Sequence, residues 1–406
     1  MIGKDIVVIS MQPWDHDIGS NAKNIAEEFS KHNRVLYVNE PLDRVTLFRS
    51  KKDNVWIRKR IDVIKGRTNG LVKIKDNLWN LYPNYLSESI NWIPEKLTYN
   101  FLNAYNSRKF ATCIEASCNE LGFKDFILVN DNLMFKGLLL NELLKPEISA
   151  YYLRDFLIVQ PYFRKHGRRI EADIMRRYDL ILTNSLYLNE YAKGFNQKAF
   201  YVGQGCDLKM YDSEGSYNLP DELIDIKPPI IGYTGFLTTM RLDISLIRRV
   251  AIDHPEWSIV LVGPEDDEFR GSDLHSLDNV FFLGTMDQSR LPSFVKYFDV
   301  CINPQIVNEL TIGNYPRKID EYLAMGKPVV ATETKTMEAF TDYVYLASTH
   351  EDFQFGIGEA LENNTAELER KRALFAQTHS WKNSVDTIYE VFASHLKNID
   401  NTVIKN

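Results

Sequence analysis

The 406-residue chain has few cysteines, no excess of positive charge and no long apolar run. Its four cysteines form no CxxC pair and its eight histidines form no HxxxH or HExxH pattern, so zinc and thioredoxin-type redox sites have no support. The formal net charge is -7, which argues against a nucleic-acid-binding protein, because such proteins are usually basic. No stretch of 18 apolar residues occurs, so no transmembrane helix is predicted.

The composition is that of an ordinary globular protein. Apolar residues make up 44% and charged residues 25%, which excludes disordered, fibrous and disulfide-stapled chains. The N-terminus enters a strand pattern directly and lacks the apolar core and cleavage site of a signal peptide. We therefore expect a cytoplasmic protein of two or three domains.

Apolar, β-branched runs alternate with helical patterns along almost the whole chain. Such alternation is typical of parallel sheets covered by helices on both faces. The predicted strands are 5–10, 34–38, 126–130, 149–153, 179–183, 199–202, 230–233, 257–262, 279–283, 300–303 and 328–331. The predicted helices are 21–31, 96–121, 163–177, 186–194, 243–253, 289–297, 316–325, 351–363, 366–378 and 381–396.

The segment 206–228 interrupts this rhythm with glycine, proline and acidic residues, and it is interpreted as an interdomain linker. The pattern predicts an α/β protein with one doubly wound, Rossmann-like domain over 1–205 and a second over 229–380. A C-terminal helix within 381–406 is expected to return to the first domain. Because such sheets bind ligands beyond the carboxyl ends of their strands, two facing domains would form a binding cleft.

The most informative stretch is 308–332, NELTIGNYPRKIDEYLAMGKPVVAT. Pro316 suits the first position of a helix and Gly326 the position after its end. Lys318 in the first turn opposes the helix dipole, a conflict that a bound anion would resolve. Glu321, one turn on, could accept two hydrogen bonds from a ribose diol. The spacing fits a nucleoside diphosphate at the helix end, and also an ordinary surface helix with a Lys318–Glu321 pair.

The run EYLAMGKPVVAT resembles the signature of GT-B glycosyltransferases, especially the family 4-like (group 1) proteins of bacterial surface-polysaccharide synthesis. The wider pattern, NELT followed by P-x-K-x-x-EYLA, is similar to the subgroup that includes teichuronic-acid-type transferases. The resemblance is best over 228–390 and implies a GT-B fold, ribose binding by Glu321 and phosphate contacts by Lys318. Many family 4 proteins have a second Glu eight positions earlier, where this chain has Gly313.

The start of the second predicted domain supports the same interpretation. Gly235 and Phe236 follow a strand directly, and a glycine there lets a ligand approach the backbone, although a plain turn explains it too. Arg241 could bridge a diphosphate with two hydrogen bonds. The run IGYTGFLTTMRLD matches the subgroup pattern. Further residues that the resemblance assigns to the donor site are Gly263, Gly284, Thr285, Asn314 and Tyr315, although tight turns explain the glycines at 263 and 284 nearly as well.

The general base is expected in the first domain. The run SAYYLRD, ending at Asp155, resembles a xanthan-type glucuronosyltransferase pattern in which an aspartate at this strand end is the base. Asp155 could instead pair with Arg154 or cap the next helix, and His16 is an alternative base. If Asp155 acts, the reaction inverts the anomeric centre. If the protein instead follows the mechanism that the family 4 resemblance implies, the configuration of the anomeric centre is retained and no such base is required.

Two basic segments suggest partners. Residues 49–67 carry eight basic and two acidic side chains around Trp56 and Ile57, typical of a peripheral contact with an anionic membrane surface or of a solvated loop. The cluster 164–169 could meet an anionic acceptor such as a lipid pyrophosphate, or form a solvated helix face. Glu171 lies on the same predicted helix at a family-like position with no assigned role.

Together these residues predict a glycosyltransferase with a nucleoside-diphosphate-sugar donor, most readily UDP-linked, and a saccharide or lipid-linked acceptor. No cofactor and no metal site are predicted, so Lys318 and Arg241 would stabilise the departing diphosphate. Two other functions fit the same pattern. One is a nucleotide-sugar epimerase, and the other is a non-catalytic nucleotide-sugar-binding subunit of a polysaccharide assembly complex.

Overall fold

The computed structural model describes residues 1–16, 20–49 and 55–403, with side chains as far as residue 398. The chain divides into two compact units. The first contains Met1–Gly203 and the helix from Ser384 onwards, and the second is Gln204–Asn383. Each unit is built around its own sheet.

The first unit has an eight-stranded sheet in the order β3-β4-β2-β1-β5-β6-β7-β8. Its strands are β1 Asp5–Ser10, β2 Arg34–Asn39, β3 Leu71–Lys75, β4 Leu78–Leu81, β5 Ile127–Asp131, β6 Ile148–Leu153, β7 Leu180–Thr183 and β8 Ala199–Tyr201. All neighbours are parallel except β3 and β4, which pair antiparallel at one edge. The central strands β1, β5 and β6 are buried along their whole length, as their continuous apolar runs predict.

The helices of the first unit cover this sheet. They are α1 Asn21–Phe29, α2 Arg44–Arg49, α3 Val55–Ile64, α4 Lys96–Leu121, α5 Met134–Gly137, α6 Leu140–Leu144, α7 Pro161–Arg164, α8 Gly167–Arg177 and α9 Leu186–Lys193. The predicted helix 163–177 is in fact interrupted before α8. At the break, the buried His166 stacks on Tyr99 with ring centroids 3.9 Å apart and bonds the carbonyl of Ile93 at 2.8 Å.

The second unit has a six-stranded parallel sheet in the order β11-β10-β9-β12-β13-β14. Its strands are β9 Ile230–Thr234, β10 Ser258–Val262, β11 Val280–Gly284, β12 Val300–Asn303, β13 Val329–Thr332 and β14 Tyr345–Ala347. Its helices are α10 Ile244–Asp253, α11 Asp267–Arg270, α12 Leu291–Tyr297, α13 Arg317–Ala324, α14 His350–Glu362 and α15 Ala366–Gln377.

Both faces of this second sheet are covered. Along β10, Val260 and Val262 belong to one hydrophobic core, whereas Ile259 and Leu261 belong to another. The strand order reverses direction between β9 and β12, which makes this the topological switch point where doubly wound sheets bind ligands. The turn after β9 and the start of α13, which follows β12, are therefore the expected borders of a site.

The segment 206–228, predicted as a linker, is part of the second unit. Tyr211, Leu223 and Ile226 are buried in one of its two cores. The proline-rich and acidic composition therefore belongs to a segment that has an irregular backbone but packs within the second unit.

The last helix, α16 Trp381–Val403, starts in the second unit and belongs to the first from Ser384 on. Val385, Ile388 and Phe392 are buried, and the hydroxyl of Tyr389 accepts a 2.8 Å hydrogen bond from Asn33 in the first unit. Within the described ranges, no helix combines the length and the apolar character needed to span a membrane.

Candidate functional site

A buried tyrosine fixes α13 against the carboxyl end of β9. Tyr322 has no exposed surface, and its hydroxyl accepts a 2.8 Å hydrogen bond from the backbone N–H of Thr234. The side-chain hydroxyl of Thr234 lies 3.2 Å from the same oxygen. Because an unpaired buried hydroxyl would be costly, this pairing determines where α13 starts relative to the turn after β9.

Asp320 anchors the first turn of α13 from its inner side. This carboxylate is fully buried and lies 2.6 Å from Nδ1 of His379, 3.0 Å from Sγ of Cys206 and 3.2 Å from the hydroxyl of Tyr315. A carboxylate near a helix N-terminus also interacts favourably with the helix dipole. Tyr315, predicted to contact the donor, therefore uses its hydroxyl within this network.

Lys318 extends from the first turn of α13 over the turn that follows β9. Its Nζ bonds the hydroxyl of Tyr233 and lies 3.9 Å from the centre of that ring. A Cβ at Gly235 would come within 2.8 Å of the same Nζ. The structure thus brings together Lys318 and Gly235, two predicted site residues that are far apart in sequence.

The turns after β9, β10 and β11 are joined through their backbones. The N–H of Gly235 donates to the carbonyl of Val262, and the N–H of Gly263 donates to the carbonyl of Gly284, each at 2.8 Å. Gly263 has φ +149°, and a Cβ there would lie 1.8 Å from the carbonyl oxygen of Gly235. The chain therefore needs glycine at this position, and the three turns form one continuous edge.

The outer side of this edge is open. Phe236 is 54% exposed, Thr285 is exposed, and a Cβ at Gly284 would meet no atom within 4 Å. Asn314 is half-buried in the loop before α13. The predicted donor residues thus border an accessible surface at the carboxyl end of the sheet.

Glu321 lies one turn beyond Lys318 and is largely buried. Burial raises the pKa of its carboxyl group, and the nearby Arg317 and Lys318 partly offset this effect. One carboxylate oxygen accepts a 3.3 Å hydrogen bond from the hydroxyl of Tyr211. Across the described chain, Lys318 and Glu321 form no ion pair with each other, so the ordinary surface pair that their spacing allowed is not formed.

Arg241 lies on the loop between β9 and α10 and is exposed. Its carbonyl accepts a 2.9 Å hydrogen bond from the N–H of Ile306, which ties this loop to the one after β12. Its guanidinium group has no ion pair or hydrogen bond within the part of the chain that the structure describes. A cation held on a fixed backbone without a carboxylate partner suits the binding of an anion.

Comparison with known proteins finds a match over the region that contains this site. A family model for glycosyl transferases of group 1 matches residues 228–363. This part of the chain is therefore similar to the group 1 glycosyltransferases. This confirms the resemblance seen in the sequence.

One curated relative extends this result. TuaH of Bacillus subtilis, named as a glycosyltransferase of teichuronic acid biosynthesis, is 26% identical over 237 residues. That alignment covers 55% of this chain and 59% of TuaH, which is less than two thirds of its length.

The solved structures show the fold. Anabaena Alr3699/HepE in complex with UDP is 16% identical with a TM-score of 0.63, and the match covers 96% of this chain and 100% of that one. Sucrose-phosphate synthase of Thermosynechococcus elongatus is 14% identical with a TM-score of 0.59, over 99% and 98% of the two chains. The GT-B fold expected from the sequence is confirmed.

In the first unit, Asp155 belongs to a charged cluster at the carboxyl ends of β1, β5 and β6. Arg154 pairs with Asp155 through Nη1 and with Asp131 through Nε at 2.7 Å. Asp131 is buried, and its second oxygen accepts a 2.7 Å hydrogen bond from Ser10. Burial alone would lower the pKa of Arg154, but the carboxylates of Asp131 and Asp155 raise it.

The pairing of Asp155 with Arg154 is thus one of the two arrangements that the sequence allowed. Asp155 remains partly exposed, with 40% of its side chain accessible, whereas Asp131 is 1% exposed. Sequence analysis did not select Asp131. Its position at the last residue of a buried strand was the available signal, because the carboxyl ends of parallel strands share one edge.

The alternative base and its loop lie partly outside the described residues. His16 is exposed, and its carbonyl accepts a 3.1 Å hydrogen bond from Lys23. The sequence of this loop also suggests an approach to the acceptor or to the donor phosphates through Gly19 and Asn21, and Gly19 lies outside the described residues.

The basic segment 49–67 does not present all its charges outward. Arg60 is 3% exposed, pairs with Asp15 at 2.9 Å and stacks on Trp56. Arg67 pairs with Asp62 at 3.1 Å. Arg60 is therefore used inside the protein, Arg67 is exposed but paired with a carboxylate, and Lys51 and Lys52 fall outside the described residues.

Glu171 is fully buried in α8. One oxygen accepts a 2.9 Å hydrogen bond from the hydroxyl of Tyr191, and the other has no partner within the described chain. Burial raises the pKa of Glu171 to about 7, and the hydrogen bond from Tyr191 partly offsets this effect.

Proposed function

We propose that this protein transfers a sugar from a UDP-sugar to a saccharide or lipid-linked acceptor in cell-surface polysaccharide synthesis. The observation that carries the proposal is the placement of Lys318 over the glycine turn after β9, with Glu321 one helical turn beyond it. A relative named for teichuronic acid biosynthesis and a structural neighbour solved with UDP support the same assignment.

The donor would lie along the edge formed by the turns after β9, β10 and β11. Lys318 is held by a neutral hydroxyl and an aromatic ring rather than by a carboxylate, so its charge remains available to an anion. Lys318 and Arg241 would contact the two phosphates, and Glu321 would accept hydrogen bonds from the ribose. Phe236, Gly263, Gly284, Thr285 and Asn314 would border the remainder of the nucleotide.

Catalysis would depend chiefly on stabilising the departing diphosphate. As the bond between the anomeric carbon and the phosphate oxygen breaks, negative charge grows on that oxygen beside Lys318 and Arg241. Preorganised donors of this kind are each worth roughly 10²–10³-fold in rate. We propose that these side chains carry out this neutralisation without a metal ion.

The acceptor hydroxyl would attack the anomeric carbon and lose its proton. In the inverting form of the proposal, Asp155 takes that proton, and its partial exposure beside Arg154 leaves one face accessible to a substrate. Asp155→Asn should then lower kcat by at least ~10²-fold. In the retaining form no base on that face is needed, and the same substitution would leave kcat nearly unchanged.

Calorimetric titration with UDP tests the proposed donor site. Lys318→Ala should weaken UDP binding by roughly 10–100-fold, because a hydrogen bond to a charged group contributes ~1.5–3 kcal/mol. Lys209→Ala changes an exposed lysine of the same unit and is the matched control. Equal UDP affinity in the wild type and both variants would remove Lys318 from the site.

Incubation with UDP-sugars then separates the candidate functions. A transferase should give product only with acceptor, apart from slow donor hydrolysis. Conversion of the sugar without acceptor would indicate an epimerase. Tight UDP binding without transfer or hydrolysis would indicate a binding subunit.

A further inference from the structure

The first unit contains a cavity of about 950 Å³, lined entirely by its own residues. This volume is at the upper end of the ~300–1,000 Å³ that small-molecule sites occupy. Met11, Glu40 and Leu133 line it and follow β1, β2 and β5 within one or two residues. The cavity therefore adjoins the same sheet edge as Ser10 and Asp131 of the Asp155 cluster.

The carboxylates of the cavity wall already have partners within the protein. Glu40 pairs with Lys136 at 2.5 Å, and Glu88 binds Arg44 through two hydrogen bonds of 2.8 and 2.9 Å. Asp43 accepts hydrogen bonds from Thr46 and from the hydroxyl of Ser89. Lys136 and Arg44 thus neutralise Glu40 and Glu88, whereas Asp43 is hydrogen-bonded to neutral groups and keeps its negative charge.

What remains for a ligand is mainly an apolar surface. Ile57, Ile90, Tyr99, Leu133, Met134 and Phe163 are buried residues of the wall. At the outer side, Trp92 and Tyr162 also line the cavity but are 71% and 62% exposed. Exposed aromatic surface continuous with an apolar cavity is unusual in a protein that binds nothing there.

Two cations complete the lining. Arg49 is exposed and has no acidic partner among the described residues, and Nζ of Lys165 lies 2.5 Å from the carbonyl oxygen of Trp92. Since Glu40 and Glu88 are paired with cations, Arg49 and Lys165 face only the charge of Asp43, and the balance left for a ligand is positive. The lining is thus complementary to a molecule that combines a hydrocarbon chain with an anionic group.

The helix α4 adds a reason to expect a ligand from a membrane. Its residues Leu97, Phe101 and Tyr105 are exposed at intervals of four, so they form one apolar stripe. Lys96 and Arg108 of the same helix are exposed and have no acidic partner in the described ranges. An apolar stripe flanked by cations is typical of contact with an anionic lipid surface.

We propose that the cavity binds the hydrocarbon chain of a lipid-linked acceptor, with the acceptor's phosphate group beside Arg49 and Lys165. The assignment of this ligand as the acceptor rests on the proposed transferase function, whereas the cavity's preference for an anionic lipid chain rests on the lining alone. Trp92 and Tyr162 form the entrance for the chain.

Calorimetric titration with farnesyl phosphate, kept below its micelle concentration, tests the proposal on the full chain. The wild type should bind it saturably, and inorganic phosphate should not. Trp92→Asp places a charge in the apolar entrance and should weaken binding by about tenfold or more. Phe355→Asp is the matched control, because Phe355 is 69% exposed on α14 of the second unit, lies outside the cavity lining and should leave farnesyl phosphate binding unchanged.

Further arms separate the sources of the ligand. Tyr162→Asp should reproduce the effect of Trp92→Asp, and both variants should melt like the wild type. Equal binding of farnesyl phosphate by wild type and both variants would overturn the proposal. Competition by phosphatidylglycerol vesicles is the third outcome. If the vesicles abolish farnesyl phosphate binding and this competition depends on Trp92, the cavity binds bulk lipid instead of the acceptor. UDP titration of the same samples tests the donor site independently. Absence of UDP binding would refute the transferase assignment without altering lipid binding.

Discussion

Asp320 and Glu321 are adjacent in sequence but have different surroundings. Asp320 lies on the inner side of α13, where His379, Cys206 and Tyr315 surround it. Glu321 bonds only Tyr211 among the described residues and keeps one oxygen for other partners. The first carboxylate therefore positions the helix, and the second is the one suited to a ligand.

If Glu321 accepts hydrogen bonds from a ribose diol, the protein should distinguish UDP from 2′-deoxy-UDP. We expect the wild type to favour UDP by roughly 10–100-fold, because hydrogen bonds to a charged acceptor contribute ~1.5–3 kcal/mol. Glu321→Gln should remove most of this preference, and Glu367→Gln, on an exposed helix surface, should preserve it. Calorimetry with both nucleotides measures the ratio, and an unchanged ratio in Glu321→Gln would place the ribose elsewhere.

The buried Glu171 should make stability depend on pH. Burial raises its pKa from the ordinary 4.5 to about 7, so between these values the folded state holds a proton that the unfolded state has released. The free energy of unfolding should therefore fall as the pH rises through this interval, by an amount on the order of 3 kcal/mol. Glu171→Gln should lack this decrease.

Urea unfolding of the wild type and Glu171→Gln across that interval measures the difference. The Gln variant retains an oxygen that can accept the hydrogen bond from Tyr191, so packing is nearly matched. Parallel pH profiles for the two proteins would show that Glu171 does not titrate in this range.

The site residues that the sequence predicted differ from those that it did not indicate in the sequence separation of their partners. Lys318 and Glu321 were predicted because a local spacing and a family motif both indicate them. Asp320 was missed because its partner His379 is 59 residues away, and Asp131 because its partner Arg154 is 23 residues away. No local pattern predicts which of two adjacent carboxylates is buried when the partner is distant.

At the scale of elements, the joined turns after β9, β10 and β11 depend on one glycine more than on the others. Gly263→Ala would put a Cβ 1.8 Å from the carbonyl oxygen of Gly235 and should destabilise the second unit by more than ~4 kcal/mol. Gly284→Ala has open space and positive φ, so it should cost only ~1–2 kcal/mol.

Gly358→Ala supplies the opposite control, because its position in α14 is open and should gain about 0.5–1 kcal/mol of helix stability. The melting temperature of Gly358→Ala should therefore lie above that of the wild type. That of Gly284→Ala should lie below the wild type, and that of Gly263→Ala should be the lowest. Similar melting temperatures for the 263 and 284 variants would mean that the edge rearranges readily.

Elements with continuous apolar runs or long stretches free of glycine and proline were predicted with correct bounds, and marginal ones were not. The strand Asp5–Ser10 and the helix Lys96–Leu121 coincide with their predicted ranges. The edge pair β3 and β4 was not predicted, because β3 is largely exposed and its sequence LVKIK has no long apolar run. The division of the predicted helix 163–177 follows from the burial of His166, which sequence periodicity does not reveal.

For the whole molecule, the main consequence is that the first unit is completed by a helix that follows the second unit in sequence. A chain ending after Asn383 would lose the buried side chains of Val385, Ile388, Tyr389 and Phe392. At ~1.5–3 kcal/mol for each buried side chain, the loss is comparable with the ~5–15 kcal/mol of net stability typical of a domain.

Such a truncated chain should lose the unfolding transition of the first unit. The second unit should still show a transition that UDP raises, since a ligand at ~100 times its Kd adds about 2.7 kcal/mol. A chain ending after Lys397 is the control and should melt like the full protein. Calorimetric scans with two transitions in the truncated chain would show that the first unit does not need the helix.

The discontinuous path of the chain also imposes an order on biosynthesis. The ribosome completes all eight strands of the first sheet before it makes the second unit, and only afterwards releases the segment from Ser384 that packs on Asn33. At a synthesis rate of ~5–20 residues per second, the first sheet remains without the helix α16 for roughly 10–40 s. During that interval the nascent chain exposes an apolar surface that chaperones can recognise, while the second unit is free to fold first.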